Sequence, residues 1–260
     1  MTNADKFTLR KIRESIYLAT FPTQYDVNMH FVRAQEYYES PNPQFRGETF
    51  KLLDFMRWYS VDRKGSNGTF SYTDDWSGFN IPSWVLEEVY VHKNIPDEND
   101  YDITMRALYE TVRRLDGPKS KFYIIGCVEH GTALDHELAH GLFYAEDGYR
   151  EAQLKHIEDM VAKRGKNIRE VIYDTLIADG YCADVLADEL HAYMATGISG
   201  SMEAHLFDLG FDSPRKLTNL RKPFIDTFER WALTADMPWR TVKRHKKKDK
   251  SVDSNPNSSK

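Results

Sequence analysis

The sequence predicts an α+β fold, mostly helical with one small sheet, and three observations carry that expectation. Long stretches place apolar residues at helical spacing between Ser, Thr, Asn, Asp, Gly or Pro punctuation. Residues 121–129 (KFYIIGCVE) are instead aromatic and β-branched with no charge inside, the composition of a short buried strand. Directly behind that run Gly131 and Thr132 break the chain. Leu134, Leu138 and Leu142 then recur at i, i+4 and i+8, so a helix with one core-facing side follows the strand.

Taken in order, residues 12–21 are strand-like with a mixed first half. Residues 28–39 read as a helix stopped by Ser40, Pro41, Asn42 and Pro43. Thr49 is placed as the cap of an apolar-rich helix over 50–59, and 62–68 form a turn-rich loop. Alternating aromatics over 69–76 suggest a strand. Pro82 and Ser83 open a helix to about residue 93, and a loop with Pro96 leads to a helix over 103–115, ended by Asp116, Gly117 and Pro118. Behind the strand at 122–128, Thr132 followed by Asp135 resembles a capping box for the next helix. Residues 149–164, 168–178 and 185–195 read as further helices, and 203–236 as helical packing with a loop near Pro214. No repeat of fixed period is present.

Residues 136–140 read HELAH. On a helix, His136 and His140 stand one turn apart on the same face and can offer two imidazole nitrogens to one Zn²⁺ ion. Glu137 sits one step round, placed to act on water without ligating the metal, which is the arrangement that metal-assisted hydrolysis needs. Residues 133–142 (ALDHELAHGL) resemble the longer signature of zincin metallopeptidases. Leu134, Leu138, Ala139, Gly141 and Leu142 match its uncharged flanks, and Asp135 departs from it. The wider cast is similar to uncharacterised zincin-like proteins of bacteriophages and bacteria.

A catalytic zinc site takes three protein ligands and keeps one position open. The pattern with a third histidine close behind is absent, because Phe143 and Glu146 occupy its Gly and His positions. Glu189 is the preferred third ligand. It falls on the apolar stripe of residues 184–194, between Leu186 and Tyr193, where an unpaired carboxylate would cost several kcal/mol. Asp188, Asp184, His191 and Glu146 are the substitutes. Residues 188–192 (DELHA) also resemble the second motif of gluzincins, which implies the same ligand. The expected function is a zinc-dependent hydrolase, a metallopeptidase with Glu137 as general base toward Zn-activated water. His191, Tyr193, Tyr181 and Tyr144 are the candidates for stabilising the oxyanion, with His191 and Tyr193 preferred. Asp135 and Asp188 are candidates for orienting the ligands. The zincin resemblance further implies that the strand at 122–128 pairs with an extended peptide substrate. The alternatives are a zincin-fold protein that binds without turnover, and a peptidase acting on nucleic-acid-associated proteins.

With 260 residues, 41% hydrophobic and 29% charged, the chain has the composition of a globular protein, and no apolar run approaches the ~18 residues of a membrane span. The N-terminal residues carry no apolar signal segment, so a cytoplasmic location is expected, with Cys127 and Cys182 reduced. Residues 1–240 are expected to form a single zincin-like domain: an aromatic-rich N-terminal lobe (1–120), a metal-site lobe (121–200) and C-terminal helical packing (201–240). The net charge of −5 is uneven, because residues 241–260 carry seven Lys/Arg against two Asp. That segment is expected to be a disordered basic tail, solvated or in weak contact with nucleic acid or an acidic surface.

Overall fold

A computed structural model describes residues 7–62 and 67–238. The expected basic tail, 241–260, lies outside the described residues. The fold is α+β, with helices predominating over a four-stranded mixed sheet. Strands β1 (Thr8–Arg13) and β2 (Ile16–Phe21) form an antiparallel hairpin, so the segment 12–21 is not one strand. Its turn places Ser15 in the left-handed region at φ 56°. The other strands are β3 (Gly78–Pro82) and β4 (Tyr123–Val128). The order across the sheet is β1-β2-β4-β3, with β2 and β4 parallel and both outer pairs antiparallel.

Strand alternation divides the interior into two cores. On β2 and β4, Ile16, Leu18, Tyr123, Ile125 and Cys127 face one core, whereas Tyr17, Ala19, Phe21 and Ile124 face the other. Both strands are covered on both sides, which explains why residues 121–129 read as a continuous apolar run. The aromatic core packs under helices α1 (Gln24–Glu39), α2 (Leu52–Asp62), α3 (Tyr72–Asp75), α4 (Ser83–Glu87, continued as a π turn over Glu88–His92) and α5 (Asp100–Asp116). Within this layer Phe31 of α1 stacks on Phe79 at 5.4 Å. Phe31 also lies so close to Gly126 of β4 that a Cβ there would come within 2.4 Å of its ring.

The second core packs under α6 (Leu134–Ala145), α7 (Asp147–Arg164), α8 (Asn167–Asp179), α9 (Leu186–Thr196), α10 (Gly200–Asp208) and α11 (Pro214–Ala232). Helices α7 and α8 are the excursion between the two motif-bearing helices, α6 and α9. Pro214 opens α11 at its first turn, where the missing N–H costs nothing. No helix among the described residues is long and apolar enough to cross a membrane.

Several local expectations are corrected. The segment 69–76 is not a strand. Ser71 accepts the amides of Asp74 and Asp75, and Phe70 and Tyr72 insert into the aromatic core, so the chain turns as α3. The strand lies just beyond it, as β3. Thr49 does not cap α2. Its hydroxyl donates to the Asn94 carbonyl, and Asp97 accepts the Leu52 amide from across the layer. Thr132 and Asp135 form no capping box, because α6 is preceded by Ala133 with no side-chain cap. The expected α1 gains a turn, with Thr23 accepting the Asp26 amide as its cap.

Candidate metal centre

α6 and α9 pack against each other and bring His136, His140 and Glu189 together. One ligand atom from each lies within 4.8 Å of the others. The two Nε2 atoms are 3.2 Å apart. Glu189 Oε1 is 3.5 Å from the His140 Nε2, and Oε2 is 3.7 Å from that of His136.

The opposite ring nitrogens fix the direction of the lone pairs. The His140 Nδ1–H donates to the Asp188 carboxylate at 2.8 Å. The Thr196 hydroxyl gives its proton to the Ala192 carbonyl, so its oxygen accepts the His136 Nδ1–H at 3.2 Å. Both Nε2 atoms therefore turn toward one point, 3.2 Å apart. Glu189 Oε2 is buried there with no hydrogen-bond partner. Two imidazoles and a carboxylate that converge in this way could hold a metal ion.

Electrostatics point the same way. Burial opposes charge on His140, but Asp188 and then Glu189 outweigh it and hold the imidazole well above its ordinary value. In the metal-free protein a proton thus answers the same cluster of negative charge. Burial would raise the Asp188 carboxyl, yet His140 and His191 outweigh it and keep that group below the ordinary range.

Glu137 lies beside this cluster, 5% exposed. Its Oε2 accepts the Asn80 amide N–H, and the Asn80 oxygen accepts the Tyr123 hydroxyl. Burial raises the Glu137 carboxyl, while His136, His140 and the Asn80 amide pull it back in part. β3 passes so close that a Cβ at Gly78 would fall 2.8 Å from both Glu137 Oε1 and the Ala133 Cβ. Only glycine lets the edge strand run past the Glu137 carboxylate. A cavity of about 280 Å³ opens in front of these groups. His136, Glu137, His140 and Glu189 line one part of it, Gly78 and Asn80 the strand side, and Gln35, Glu39, Trp76, Tyr181 and Tyr193 the remaining wall.

The other candidates distribute unevenly. Tyr193 and Tyr181 both line the cavity, joined hydroxyl to hydroxyl at 2.9 Å. Burial pushes the Tyr193 phenol up to about 12, so it is a proton-bearing donor at neutral pH. His191 is not at the cavity. It is fully buried behind Asp188, stacked on Phe143 at 4.4 Å with Nε2 toward the Ala139 carbonyl, and burial pulls it down to about 4. Its expected oxyanion role is corrected accordingly. Tyr144 packs on Tyr123 away from the cavity lining. Of the substitute ligands, Asp188 holds His140 from behind, Asp184 is exposed in the turn before α9, and Glu146 pairs with Arg13 at 2.7 Å. Asp135 lies in the first turn of α6, where the helix dipole favours a negative charge.

β4 does not offer an edge, because β2 and β3 flank it; the outer strand beside the cavity is β3. Asn80, Gly78, Gln35 and Glu39 were missed by sequence reasoning. Among the aromatics of the N-terminal part, Tyr59, Phe70, Tyr72 and Phe79 build the core, and Trp76 lines the cavity. No family model, curated protein or solved structure matches this chain.

Proposed function

We propose that this protein is a zinc-dependent hydrolase, a metallopeptidase with His136, His140 and Glu189 as ligands and Glu137 as general base. The observation that carries the reading is the pair of Nε2 atoms turned toward a partnerless buried carboxylate oxygen, beside a second carboxylate open to a cavity. A bound zinc ion would act there as a Lewis acid, polarising a carbonyl and acidifying water. The protein's own groups supply the rest. The Asn80 amide holds Glu137 Oε2, which leaves Oε1 on the Gly78 side to take a proton from water and pass it to the leaving amine. In the Tyr193–Tyr181 pair one hydroxyl donates to the other, which leaves the second proton as the donor at the cavity wall for a developing oxyanion. An extended peptide would lie in the cavity along β3, which runs past the base. A cytoplasmic peptide or protein substrate belongs to the same reading.

Zinc content by elemental mass spectrometry tests it. About one zinc per chain is expected in the wild type, lost in Glu189→Ala and kept in Glu137→Gln, with peptide-library hydrolysis abolished in both. A wild type that holds no zinc after reconstitution would overturn the reading. A Glu137→Gln variant that still hydrolyses would remove the base assignment. Full zinc without hydrolysis would favour a protein that uses the site for binding alone.

A further inference from the structure

The cavity wall opposite the metal cluster belongs to α1. Gln35 and Glu39 stand one turn apart there, and both line the cavity. Glu39 is 8% exposed, and its only partner among the described residues is the Gln35 amide N–H, 2.7 Å from Oε2. The amide oxygen of the same Gln35 is buried with no partner. No Lys or Arg lines the cavity among the described residues, although Glu39, Asp75, Glu137 and Glu189 all do. The other three carboxylates are engaged: Asp75 accepts the Tyr59 and Ser71 hydroxyls, Glu137 takes the Asn80 amide, and Glu189 faces the histidines. Among the described residues Glu39 keeps one oxygen without a hydrogen-bond partner, and it lies on the wall away from the histidines.

Gln35 and Glu39 also border a side recess of about 20 Å³, together with Glu36, Trp76 and Tyr181. That space suits one water-sized group. The buried Gln35 amide oxygen has no partner and the Glu39 carboxylate beside it accepts a single hydrogen bond, so a donor with several N–H bonds and a positive charge would answer both. The rings of Trp76 and Tyr181 line the same recess.

We propose that Gln35 and Glu39 form a subsite for an ammonium group, so that the preferred ligand is a peptide carrying a primary ammonium beside the bond presented to the metal cluster. Two sources share this chemistry, a free α-amino terminus and a lysine side chain. The subsite deepens the metallopeptidase reading and rests on it for the word peptide.

Equilibrium binding to the full-length Glu137→Gln protein, zinc-loaded and zinc-free, tests the assignment without turnover. The probes are short peptides carrying lysine or its uncharged counterpart norleucine, each with a free or an acetylated amino terminus. Peptides with an ammonium group are expected to bind about tenfold more tightly than the acetylated norleucine peptide. A gain confined to free termini or to lysine identifies the source. The preference should vanish in Glu39→Gln and weaken in Gln35→Met, with helix content by circular dichroism unchanged. Equal binding of all four peptides, no binding by any of them at millimolar concentration, or a preference that survives both substitutions would overturn it. Zinc analysis of the same samples separates the two ideas. Full zinc without an ammonium preference removes the subsite alone. An ammonium preference in a chain that holds no zinc removes the metallopeptidase reading alone.

Discussion

Asn80 decides how Glu137 presents itself. Its amide N–H stabilises the charged carboxylate, whereas burial favours the neutral acid. A general base must be deprotonated, so hydrolysis should fall on the acid side at a pH above the ordinary glutamate value of 4.5. Asn80→Ala should move that acid limb further up while zinc content stays full, and leaving the Tyr123 hydroxyl without its acceptor should cost ~1–3 kcal/mol of stability. A pH profile of kcat/KM with an unmoved acid limb would refute the role. In the proposed site Asp188 would act on the metal through His140, so Asp188→Asn should weaken zinc binding about 10–100-fold in competition with a chelating dye. At this scale the sequence was legible where chemistry imposes spacing. His136, Glu137 and His140 follow from helix geometry, and Glu189 from a carboxylate set on an apolar stripe. Asn80 carries no such mark, since an asparagine in a short segment looks like any turn residue until Tyr123 and Glu137 are seen on either side of it. Gln35 and Glu39 likewise read as an ordinary polar pair on a helix.

β3 is a five-residue strand that begins with glycine and ends with proline, and both depress strand propensity. Its alternation is too short to register in a sequence, while the aromatics just before it imitate one. Its position over α6 accounts for the glycine. Gly78→Val should push Glu137 aside, and the expected result is lost hydrolysis with zinc still bound, read by activity and elemental analysis on one preparation. The pairing of α6 with α9 makes a further prediction. Asp188 and Glu189 hold a proton on His140, and zinc needs the neutral imidazole, so loading must expel that proton. Zinc affinity should therefore rise with pH below the folded-state pKa of His140. Calorimetry in buffers of different ionisation enthalpy should show proton release, and buffer-independent heats would contradict it. The long helices were legible because caps and periodicity agree. Their first turns were less so, because caps such as Asp97 on α2 come from elsewhere in the fold.

For the whole molecule, the ligands join α6 to α9 across the α7–α8 excursion, so a bound ion ties the second helical layer to itself. Zinc at a thousandfold excess over Kd should add about 4 kcal/mol of stability and raise Tm by roughly 10 °C, and EDTA should reverse it. A melting temperature indifferent to both would argue against the site. The sandwich of one sheet between two helical layers was legible only as a class. Which strand lies at the edge depends on pairings distant in sequence, and the expectation that 122–128 pairs with a peptide substrate along an edge failed for that reason. The close approach of Phe31 to Gly126 bears on how the chain finds its one pairing. Strands covered on both faces have no wet side to penalise a one-residue slip, because either parity buries apolar groups. On β4, however, a slip would turn Gly126 away and drive Ile125 or Cys127 into the Phe31 ring, where even a methyl group collides. The same slip would carry the Tyr123 hydroxyl away from Asn80. Gly126 thus serves as a registration mark. It makes the misaligned sheet collide with Phe31, and it ties correct strand assembly to the alignment of Tyr123, Asn80 and Glu137.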